Sequence, residues 1–168
     1  MALSFEAIRT NIGARVHVDR ASLLDEATAR QCLELLENHL VLVFPRIGVS
    51  DAEQLAFTDR LGPRIDYTST VAGGSAVEPN VYKLTLDPQI NDEPEETSAT
   101  FFWHFDGYYL VTPPPKATVL SGRIIHKDGA RTDFANTRLG QPADHLSVLR
   151  EKVASAARRT VEEETRAA

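Results

Sequence analysis

A chain of 168 residues with a net charge of −6 is about one domain long, and its acidity excludes the clustered Lys/Arg face of a nucleic-acid binder. Apolar residues make up 42% and charged residues 25%, an ordinary globular composition. No apolar run reaches the roughly 18 residues of a membrane span, and Glu6 and Arg9 break any signal-peptide pattern, so a cytoplasmic protein with no membrane partner is expected.

The first helix is predicted over residues 22–40. Ser22 and Asp25 are candidate caps, and Ala29, Cys32, Leu33, Leu36 and Leu40 recur at helical spacing. Cys32 is the single cysteine, so no intrachain disulfide forms; its leucine neighbours make it a buried, inert thiol. Leu40 to Phe44 is a continuous apolar run ended by Pro45, which reads as a strand buried on both faces. Ser50-Asp51-Ala52-Glu53 then forms a capping box. Leu55, Ala56 and Leu61 supply the apolar contacts of the helix it opens, and Gly62-Pro63 closes that helix with a left-handed residue and a breaker.

Residues 68–80, rich in Ser, Thr and Gly, read as a loop, and Val81 to Leu86 alternates as a strand. The acidic stretch Asp87 to Thr100 reads as a loop without a metal spacing. Further strands are expected at 100–105, around Tyr108 to Val111, and at Ala117 to Ile125, with Pro113-Pro114-Pro115 between the last two. Strands following an α/β beginning make an α+β pattern. From Arg138 onward Ala, Arg and Glu dominate, and 143–166 reads as a solvated helix with a thin apolar stripe.

The segment that carries chemistry is Phe101-Phe102-Trp103-His104-Phe105-Asp106-Gly107. Residues two apart on a strand share a face, so His104 and Asp106 project together. An imidazole and a carboxylate so placed supply two adjacent ligands of the two-His-one-carboxylate Fe(II) arrangement, with aromatic neighbours to exclude water. Alone, a His-x-Asp triplet is also what a surface histidine bonded to a neighbouring aspartate looks like. Its surroundings decide. Thr112-Pro113-Pro114, the Ala117–Ile125 strand and Gly129-Ala130-Arg131-Thr132-Asp133-Phe134-Ala135 follow in order.

This succession resembles the taurine dioxygenase family of Fe(II)/2-oxoglutarate-dependent dioxygenases, whose pattern is Trp-His-x-Asp, a Pro-Pro segment, a strand and a Gly-Gly-x-Thr-x-Phe-Ala turn. The stretch from Leu33 to Gly62 is similar to the family's N-terminal region, and the resemblance covers about 12–137. It implies an oxidoreductase that hydroxylates a small organic substrate with O2 while 2-oxoglutarate is decarboxylated to succinate. By the same resemblance His104 and Asp106 are Fe(II) ligands, and Thr132 donates its hydroxyl to a 2-oxoglutarate carboxylate. Tyr67 and Thr100 fall where family members contact the prime substrate. Ala130-Arg131 departs from the family's turn.

The implied fold is α+β: an incomplete double-stranded β-helix (jelly-roll) core with N-terminal helices packed on it and a C-terminal helix. Residues 1–137 are the N-terminal part of such a domain, and 138–168 are a helical or frayed tail outside the pattern. The family completes its triad with a histidine much farther along, followed by an arginine that clamps 2-oxoglutarate. Neither is in its family position here. His126 and His145 read as surface residues, and Arg123, Arg131 and Arg138 match no clamp motif. The alternative is therefore a catalytically inactive, truncated dioxygenase-like fragment, its tail the product of a truncated or shifted reading frame. An unrelated α+β binding domain requires the resemblance to be coincidence. Unpaired strand edges in a partial barrel favour self-association, so a homo-oligomer is expected.

Overall fold

The computed structural model describes residues 3–65, 81, 83–85, 87–90, 102–107, 113–125 and 132–139. The chain forms two compact units, Met1–Arg131 and Thr132–Ala168. Among the described residues, the first holds a small α+β layer of three strands and two helices.

The chain opens with a hairpin that the sequence analysis assigned to no element. Strands β1 (Ser4–Arg9) and β2 (Ile12–His17) pair antiparallel around Thr10-Asn11, with Arg9 opposite Ile12 and Glu6 opposite Arg15. The last pair is tied by an ion pair of 2.8 Å. β1 is exposed along its whole length, so no alternation marks it in the sequence. β2 buries Ala14 and Val16 and exposes Arg15 and His17, the period-two pattern of a half-covered strand. Gly13 takes φ 87°, and an added Cβ would stand 3.3 Å from that of Ile8, so conformation and space both select glycine.

A 3-10 turn over Arg20–Leu24 precedes the first helix. Its cap is Asp19, which accepts from the Ser22 amide at 3.0 Å; Ser22 itself lies inside the turn. Helix α1 (Glu26–His39) begins after Asp25, which makes no side-chain cap bond. The predicted start at residue 22 was early because the turn and the helix share one polar-to-apolar rhythm. The buried face of α1 is Thr28, Ala29, Cys32 and Leu35; Leu33 and Leu36 of the expected stripe are half-buried at its margin.

Leu40 ends α1 in the left-handed region at φ 66°, its amide donating to Leu36 O. That reversal shortens the predicted 40–44 strand to β3, Leu42–Val43, which pairs parallel with β2 at Ala14 and Arg15. The ladder is prefaced by an Ala14 amide bond to Val41 O of 2.9 Å. Pro45 has no N–H with which to extend it. Val43 is 40% exposed, so β3 is not buried on both faces as expected.

Helix α2 (Asp51–Leu61) has the capping box read from the sequence. Ser50 Oγ accepts from the Glu53 amide, and Glu53 Oε2 accepts from the Ser50 amide. Its one buried side chain is Phe57, while the expected contacts Leu55, Ala56 and Leu61 are half-buried. Gly62 closes the helix at φ 157°, ψ −178°, a near-extended geometry in place of the expected left-handed one. The core joins Leu23, Cys32, Val49 and Phe57, with Leu42, Phe44, Ile47 and Leu61 against it.

Beyond α2, the described parts of the predicted strands at 81–86, 100–105 and 117–125 carry no strand. A strand exists only as one side of a hydrogen-bonded ladder, and among the described residues none pairs with these segments. Asp87 begins a turn in which the Ile90 amide donates to Asp87 O at 3.0 Å. The 68–80 loop, the strand around 108–111 and the 143–166 helix lie outside the described residues. In the second unit Thr137–Leu139 forms a single 3-10 turn. No helix among the described residues is long and apolar enough to cross a membrane.

Candidate functional site

Residues 102–107 run as a bend followed by a turn, not as a strand. Gly107 sits at φ 61°, the left-handed region where glycine is unstrained. The expected strand would aim residues 104 and 106 the same way. The turn brings them closer: His104 Nε2 lies 3.0 Å from Asp106 Oδ1. The other ring nitrogen, Nδ1, lies 2.7 Å from the backbone carbonyl of Phe102.

These two distances limit what the pair can hold. A carbonyl oxygen only accepts, so Nδ1 carries a proton and donates it to Phe102 O. A neutral ring then presents its Nε2 lone pair to a carboxylate oxygen that also only accepts. Two acceptors at 3.0 Å are held by something positive between them, either a second proton on the ring or a cation. Cis ligands of an octahedral ion, each at about 2.1 Å, stand about 3.0 Å apart. The separation, the lone pairs and the backbone acceptor that orients the ring all fit a divalent cation.

The aromatic neighbours do not enclose the pair. Phe102, Trp103 and Phe105 are all exposed, and the His104 and Asp106 side chains are 45% and 51% exposed. Among the described residues no group of three or more His, Cys, Asp or Glu side chains gathers around one point. The site is a pair of candidate ligands on an open turn.

Thr132 is exposed and belongs to the second unit, which is described by itself. Tyr67 and Thr100 lie outside the described residues, as do His126, His145 and Arg131. The guanidinium of Arg123 is engaged by Val49 O, Asp51 Oδ1 and Gln54 Oε1. Arg138 is exposed, and its amide donates to Asn136 Oδ1 at 2.9 Å.

The contact that the sequence analysis missed is the one between the Phe102 carbonyl and the His104 ring. The acceptor is backbone, so no residue type announces it. The only available signal was its place two residues before the histidine.

A family model described as taurine catabolism dioxygenase TauD, TfdA family matches residues 4–139. No curated protein and no solved structure matches the chain.

Proposed function

This chain belongs to the taurine catabolism dioxygenase TauD, TfdA family, and on that premise we propose that it is an Fe(II)- and 2-oxoglutarate-dependent dioxygenase acting on a small organic substrate. The observation that carries the reading is the His104 Nε2 to Asp106 Oδ1 separation of 3.0 Å, which suits adjacent ligands of one metal ion.

In this reading His104 and Asp106 hold Fe(II), and Phe102 O keeps the imidazole in the tautomer that offers Nε2. Bound iron with 2-oxoglutarate would supply the O2 activation and oxidative decarboxylation that amino-acid side chains lack. Thr132 would donate its hydroxyl to a carboxylate of 2-oxoglutarate, and Tyr67 and Thr100 would contact the prime substrate. Phe102, Trp103 and Phe105 would exclude water once substrate covers them. Residues 1–137 would form the ligand-bearing part of a double-stranded β-helix. These assignments rest on the match of residues 4–139 to the family and on the order of the motifs.

The test is anaerobic addition of Fe(II) and 2-oxoglutarate to the purified chain, followed by O2. Metal-to-ligand charge-transfer absorbance, succinate release on oxygenation, and loss of both in His104→Ala are the expected results. Absorbance and turnover that persist in His104→Ala would overturn the ligand assignment. Absence of both signals in the unaltered chain would overturn the activity.

A further inference from the structure

We draw no further inference here: the strongest candidate, the outer edge of strand β1 with the exposed side chains of Phe5 and Ile8 along it, has nothing among the described residues to show what covers it.

Discussion

Replacing Phe57 by alanine tests whether helix α2 is anchored to helix α1 and the turn before it by one side chain. Phe57 is 6% exposed and packs edge-on to Phe44, with ring centroids 5.8 Å apart and planes at 76°. Leu23, Cys32 and Val49 complete its surroundings. Truncating a buried phenylalanine costs about 3–5 kcal/mol, of which an edge-to-face pair supplies about 1 kcal/mol. A domain of this size is stable by about 5–15 kcal/mol, so Phe57→Ala should remove roughly a fifth or more of the total. Phe57→Leu keeps most of the volume and should cost about 1.5 kcal/mol. Urea denaturation followed by far-UV circular dichroism measures both. A cycle of Phe44→Leu, Phe57→Leu and the double variant should return a coupling of about 1 kcal/mol. A Phe57→Ala cost below about 1 kcal/mol would refute the reasoning, because it would mean that α2 is not docked through this ring.

Ser50→Ala removes the acceptor for the Glu53 amide and should cost about 1 kcal/mol in the same urea titration; an unchanged midpoint would show the cap to be idle. Glu53 is held down to about 2, first by the Arg20 side chain and then by the Ser50 amide and hydroxyl. Its contribution is therefore complete above the ordinary value of 4.5 and is lost as pH falls through about 2. Glu53→Gln should flatten the stability profile across that window, and an acid limb identical to that of the unaltered chain would contradict the assignment. Burial pushes the Cys32 thiol up to about 11. A disulfide reagent at neutral pH should therefore react only as fast as the chain opens, and immediate stoichiometric reaction would show the thiol to be accessible.

How far the sequence could be read depended on how local each feature is. The capping box at Ser50 and Glu53 was legible because all of its atoms lie within four residues. Helix α1 was legible as a helix but not at its start, because the Asp19-capped turn supplies the same signals one turn earlier. The β1–β2 hairpin escaped notice because β1 has no buried face, and an exposed strand leaves no periodicity. The opposite error occurred at 117–125. The β-forming residues there report propensity, whereas strand assignment requires a partner that the described residues do not provide. The curvature at Leu40 was also out of reach, since left-handed conformations are not characteristic of leucine.

The candidate site follows the same logic. His104 and Asp106 are two residues apart, so the distance between their side chains is set by one turn and one backbone acceptor, Phe102 O. Among the described residues, the pair forms without a barrel around it. What local geometry cannot supply is enclosure: Phe102, Trp103 and Phe105 stand exposed beside the pair, and water reaches both side chains. In an open site a carboxylate and an imidazole compete with solvent for every metal bond, whereas in a closed one they do not. The two contributions are therefore separable in experiment. Substituting Asp106 or His104 should abolish iron binding at any substrate concentration, whereas Trp103→Ala should leave iron binding intact and raise the fraction of 2-oxoglutarate decarboxylated without substrate oxidation. Equal loss of iron in Trp103→Ala would mean that the ring positions the ligands, and that the pair is less autonomous than its 3.0 Å contact implies.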